Sequence, residues 1–182
     1  MGYWGFAYSE GVRREIGYLK NGMQASAGSS GIRQDDSSTI FPSPLKLKEE
    51  KNWVPLVIGE DLYFAYSVDP LVLFKFTGEG LIYGSKKPSS HENIRLRGGT
   101  QFVHWKDGLY LGIAHQQRIK THKFHYLHEF AVFDSKQMKM IETSEPFFLH
   151  KRGIEFAAGI MRCGNSMVIS YGVSDAACYV NR

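Results

Sequence analysis

Along this chain, apolar and polar positions alternate in short bursts separated by Gly, Asp and Asn, the pattern of strands joined by tight turns. The pattern is clearest from Glu49 onward. Trp53–Ile58 and Leu62–Ser67 flank Gly59-Glu60-Asp61, Thr100–Trp105 and Leu109–His115 flank Lys106-Asp107-Gly108, and Phe156–Cys163 and Met167–Gly172 flank Gly164-Asn165-Ser166. Each reads as strand, turn, strand, because Gly, Asp and Asn reach the positive φ that hairpin turns demand. Leu71–Phe76 with Leu81–Tyr83, and Tyr126–Phe133 with Met138–Ile141, supply third and fourth strands to the first two units. Ala177–Val180 supplies only a third strand to the last.

A unit of roughly 50 residues holding four antiparallel strands is the size of a propeller blade. The expected fold class is all-β, a partial β-propeller of two complete four-stranded blades plus an incomplete third. No amphipathic helical stretch separates the strands, which disfavours parallel α/β folds. Propellers close with about four to eight blades, so an open set would leave strand edges unpaired. Three remedies are open: the Gly2–Ser9 strand completes the last blade, the chain forms a homodimer, or missing blades belong to a longer chain. Truncation, with strand donation as a partial remedy, is the expectation.

The N-terminal part reads differently. Gly2–Ser9 is a short aromatic strand, Gly11–Leu19 one or two helical turns, and Asn21–Ser43 a Gly/Ser/Asp-rich loop or linker. The expected division is an N-terminal strand and linker over 1–48 and blades over 49–182.

Composition agrees: aromatics at 14% suit pleated surfaces, and 43% hydrophobic with 22% charged residues is globular. The net charge of +4 is dispersed over pairs such as Lys46/Lys48, Lys86/Lys87 and Arg95/Arg97. That is no phosphate track, so no nucleic-acid partner is expected. Cys163 and Cys178 form neither a disulfide framework nor a zinc motif and read as small buried thiols. With no long apolar run and no basic-then-apolar leader, no membrane association is expected, and a cytoplasmic location follows for an unprocessed chain.

Four segments carry more: Glu50-Lys51-Asn52-Trp53, Arg97-Gly98-Gly99-Thr100-Gln101, Gly153-Ile154-Glu155-Phe156-Ala157-Ala158-Gly159 and Ser170-Tyr171-Gly172-Val173-Ser174-Asp175. In this order they resemble the later blades of five-bladed β-propeller glycoside phosphorylases and hydrolases, the mannoside-phosphorylase group, and in particular relatives of that group, some of them found beside glycosyltransferases. The resemblance covers residues 49–182. It implies a carbohydrate partner, inorganic phosphate as a co-substrate and no other cofactor. The family's anion-holding lysine falls on Lys51, followed by Asn52. Its close backbone approach to sugar falls on Gly98, Gly99 and Thr100, followed by Gln101, and its pocket-lining aspartate falls on Asp175, after Tyr171. Two departures count. Tyr66-Ser67 stands where the phosphorylases carry His-Arg, and residues 1–48 hold no counterpart of the family's general-acid aspartate. Without a proton donor to the leaving oxygen, phosphorolysis by this chain alone is not expected.

Position adds two candidates. Glu155 leads the third unit as Lys51 leads the first, and its carboxylate, beside an apolar run, is expected at a mouth rather than in a core. His115 ends a strand beside Gln116-Gln117-Arg118 and is a candidate sugar contact. The substrate-binding set is thus Lys51, Asn52, Gly99, Thr100, Gln101, His115, Glu155, Tyr171 and Asp175, with no catalytic residue assigned. Each has a plainer alternative: Glu49 to Lys51 as a charged loop, Asp69 and Asp175 as turn caps. Trp53 and Trp105 could stack on a sugar face, although a buried strand aromatic is the more frequent reason for such residues. His115, His122, His125 and His128 make no metal site, because His125 and His128 alternate to opposite faces and His122 lies in a polar loop. Three functional readings follow: a carbohydrate-active propeller inactive or weak alone, a non-catalytic sugar-binding module, and a β protein whose edges pair with another chain.

Overall fold

The computed structural model describes residues 4–10, 13–19, 39–41, 45, 52–84, 94–120 and 123–182. Among them every regular element is a strand, every sheet is antiparallel, and no sheet closes on itself. An N-terminal sheet joins β1 (Trp4–Glu10), β2 (Arg13–Leu19) and β3 (Thr39–Phe41) in that order. Sheet I is a meander of β4 (Val54–Ile58), β5 (Asp61–Val68), β6 (Leu71–Phe76) and β7 (Leu81–Tyr83). Sheet II contains β8 (Arg97–Gly98), β9 (Val103–Lys106), β10 (Leu109–Lys120), β11 (Lys123–Asp134) and β12 (Lys139–Thr143). In sheet II, β8 and β9 pair with different stretches of β10. Sheet III holds β13 (Glu155–Cys163), β14 (Ser166–Val173) and β15 (Ala177–Asn181).

The three predicted hairpins are present, each turning on two residues rather than three. Ile58 pairs with Asp61, Lys106 with Leu109 and Cys163 with Ser166. Gly59, Asp107, Gly108 and Gly164 all have positive φ, which matches the twist of the flanking strands. Four expectations need correction. Residues 13–19 form β2, not helical turns; pairing with β1 and β3 uses their backbone groups instead. Thr39–Phe41, placed in the linker, is a strand. Thr100–Phe102 lies outside the ladder, so the inner strand of sheet II is split in two. The cysteines are exposed, because Cys163 and Cys178 sit at the rim and edge of sheet III. The remainder of 20–44, where the linker was expected, lies outside the described residues.

Sheets I, II and III stack face to face. Between I and II, Val54, Leu56, Leu73 and Leu96 pack on Ala114, Ala131 and Phe133. Between II and III, Ile113 packs on Ala157 and Ile160. Sheet I buries its other face too, with Trp53, Phe64, Tyr66 and Phe74 in one aromatic cluster. This double burial explains the apolar run Leu62–Tyr66 of β5, a strand buried from Phe64 to Val68. The face of sheet III away from sheet II stays open: Met161 is 56% and Val180 68% exposed.

Candidate functional site

The leading ends of the three inner strands come together at Gly98–Gln101. A Cβ on Gly98 would lie 2.0 Å from Val54 Cγ2 and 2.8 Å from the Asn52 carbonyl oxygen. A Cβ on Gly99 would lie 2.9 Å from the Ile113 oxygen and 3.2 Å from that of Ala157. Only glycine fits such an approach, so the pair threads one backbone between sheets I and III. The neighbours that come close here are the Val54 side chain and protein backbone.

Thr100 is fully buried; its hydroxyl accepts the Ile113 N–H at 2.9 Å and donates to the Gln101 carbonyl at 3.0 Å. That side chain replaces the ladder partner lost where β8 and β9 part. Gln101 donates from Nε2 to the Ile160 carbonyl at 2.7 Å, fastening sheet II to sheet III. Asn52 is half-buried at φ 61°. Lys51 lies outside the described residues.

Glu155 does not sit at a mouth. It is 1% exposed, and its carboxylate accepts the backbone N–H groups of Leu149 at 2.8 Å, His150 at 2.9 Å and Lys151. Consecutive amides form a ready anion cradle, so this carboxylate secures the loop entering β13. Tyr171 is buried opposite Ala157; its hydroxyl accepts from Asn181 Nδ2 at 3.2 Å, and its ring stacks on Tyr179 at 5.5 Å. Asp175 is exposed in the turn between β14 and β15, where Ser174 and Asp175 both have positive φ. Val173 pairs with Glu155, so Asp175 shares this end of sheet III. Asn52, Gly99, Thr100, Glu155, Tyr171 and Asp175 therefore gather at one end of the stack.

His115 and His128 are direct cross-strand partners on the face of sheet II toward β13. His115 is buried with its ring edge-on to Tyr126 at 5.6 Å and Phe156 at 5.1 Å. His128 is fully buried; Nε2 accepts the Ala157 N–H at 3.3 Å, and Nδ1 has no hydrogen-bond partner among the described residues. Burial lowers the His128 pKa to about 4, against the opposing pull of Glu155. No group of three or more potential metal ligands occurs among the described residues.

Two features escaped the sequence reading. On the face of sheet II toward sheet I, both carboxylate oxygens of buried Glu129 accept from Arg95 Nη1, at 2.7 and 2.9 Å, and Oε1 also accepts from Gln116 Nε2 at 2.9 Å. Arg95 also donates to Asp69 at 2.5 Å, so the Asp69 carboxylate serves an ion pair linking the sheets. Hydrogen bonds to Glu129 and then Asp69 hold the Arg95 pKa above its usual value. The available signal was a carboxylate inside the apolar run of β11, which calls for a buried partner.

The second is a groove of about 240 Å³ between the hairpin ends of sheets II and III, lined by Trp105, Leu111, Arg162, Asn165, Ser166 and Met167. Trp105 is 36% exposed, whereas Trp53 belongs to the core at 8%. Arg162 donates from Nη1 to the Trp105 carbonyl at 3.2 Å and from Nε to that of Gly164 at 3.1 Å. Compared with known proteins, the chain matches no family model, no curated protein and no solved structure.

Proposed function

We propose that this chain is a partial β-propeller that binds carbohydrate without cleaving a glycosidic bond by itself. The observation that carries the non-catalytic reading is the occupation of Glu155: a carboxylate holding three backbone N–H groups is spent on structure. Asp175 is exposed in a turn, Asp69 is paired with Arg95, and Glu129 is buried under the same arginine. Glycosidic cleavage needs a carboxyl group poised to give a proton to the leaving oxygen, and none of these four is so arranged. The sugar part rests on the ordered motifs resembling the mannoside-phosphorylase group. It is supported by stacked meander sheets whose inner strands share a leading end, the arrangement that lines a propeller's central hollow.

Calorimetry with mannose and mannobiose, with and without inorganic phosphate, tests this reading. The expected result is binding heat independent of phosphate, and no mannose 1-phosphate released on prolonged incubation. Absence of heat with every sugar would remove the carbohydrate reading, and release of the sugar phosphate would remove the non-catalytic one. A second reading, a module pairing with another copy or with missing blades, is favoured by β15, whose residues are all exposed at a sheet edge.

A further inference from the structure

Resting on the carbohydrate reading above, we propose that the groove between the hairpin ends of sheets II and III is a subsite for a hexose bearing an anionic substituent, a phosphate or a carboxylate. Its volume of about 240 Å³ falls below the range of roughly 300–1,000 Å³ typical of drug-sized ligands, so one sugar ring is the fitting load. Leu111 and Met167 give it an apolar part, and the partly exposed indole of Trp105 offers the flat surface on which sugar C–H groups rest. Asn165 and Ser166 bring amide and hydroxyl groups suited to ring hydroxyls.

The charge is what narrows the class. Arg162 is pinned to the Trp105 and Gly164 carbonyls, which fixes its guanidinium between the two hairpins and leaves further N–H donors. Lys106 holds its ammonium 4.6 Å from the centre of the Trp105 ring. No carboxylate lines the groove, and neither cation has an ion-pair partner among the described residues. Lys106 is not part of the lining, so the fixed planar fork of Arg162 is the groove's own cation, and it suits a phosphate or carboxylate better than a neutral hydroxyl. This groove lies at the hairpin end of β13, away from Glu155 at the strand's start.

Titration of the full chain with mannose 6-phosphate, glucuronate, mannose and inorganic phosphate, read by calorimetry and tryptophan fluorescence, tests the proposal. The acidic sugars should bind about 10-fold more tightly than mannose, as one charge-assisted hydrogen bond supplies. Comparing mannose 6-phosphate with glucuronate tells which anion the groove takes. Arg162→Gln should erase that preference, Arg162→Lys should keep part of it, and Trp105→Ala should weaken each sugar about 10-fold, with unfolding midpoints confirming that the variants fold. If the wild type binds sugars and both Arg162→Gln and Trp105→Ala bind them equally well, the groove is not the site, although the carbohydrate reading survives. If inorganic phosphate alone binds as tightly as mannose 6-phosphate, the sugar part of the proposal falls. No binding of any sugar to the wild type would end both.

Discussion

His128 is sealed between sheet II and β13, and its Nε2 is the acceptor for the Ala157 N–H. The fold therefore needs the neutral imidazole, and burial holds its pKa near 4, well below the ordinary 6.5. An unfolded chain takes up this proton once the pH drops through 6.5, while the folded chain resists until about 4. Stability from this group is thus complete above 6.5 and drains away as the medium is acidified toward 4. At about 1.4 kcal/mol per pH unit, the loss is on the order of 3 kcal/mol. Denaturant midpoints measured from neutral pH down to about 4.5 should fall steeply for the wild type and less for His128→Gln. Parallel slopes would show that another group carries the acid sensitivity.

Between elements, the Gly98–Gly99 crossing is the tightest join. Gly98→Ala would push a methyl into Val54 and the Asn52 carbonyl, with a cost of about 3 kcal/mol or more, since backbone on one side cannot yield. Thermal unfolding measures it, and an unchanged midpoint would mean the sheets adjust freely there. Gly108→Ala is a useful contrast, because its close neighbours, at 3.2 and 3.3 Å, are the flexible Lys136 side chain and the Ser135 hydroxyl, and its positive φ adds the backbone strain. At this scale the sequence was informative where local chemistry decides. Hairpins announced themselves through Gly59, Asp107-Gly108 and Gly164-Asn165 between apolar runs. The tasks of Thr100 and Glu155 were illegible, because their partners are backbone groups that leave no side-chain signature. Gly11–Leu19 misled for a related reason: GVRREIGYL in isolation fits one or two helical turns, and only the strands flanking residues 13–19 impose the extended form there. Lys51 lies outside the described residues, so its proposed role rests on resemblance alone.

Across the whole molecule, sheet II packs on sheet I through one core and on sheet III through another, and sheet I buries both of its faces, while the far face of sheet III has no cover among the described residues. Met161 and Val180 stand exposed there, beside the free edge of β15. Open apolar faces and bare edges invite association. Sedimentation velocity should show the wild type self-associating as concentration rises, and Met161→Lys with Val180→Lys remaining monomeric. The two changes should each shift stability by no more than about 0.5 kcal/mol, as is usual for exposed positions. A wild type that stays monomeric at high concentration would show the face to be tolerated bare.

The serial order of the stack has a mechanical side. Among the described residues sheet III is clasped by sheet II, through Ile113, Ala157, Ile160 and the Gln101 fastening, and its other face is exposed. Linear arrays of this kind come apart one unit at a time, starting at the end that buries less, and sheet I buries both its faces where sheet III buries one. Under gentle tension or mild denaturant, residues 155–181 should peel first, exchanging their amide hydrogens while β5 and β6 still hold theirs, so the C-terminal segment acts as the molecule's fuse.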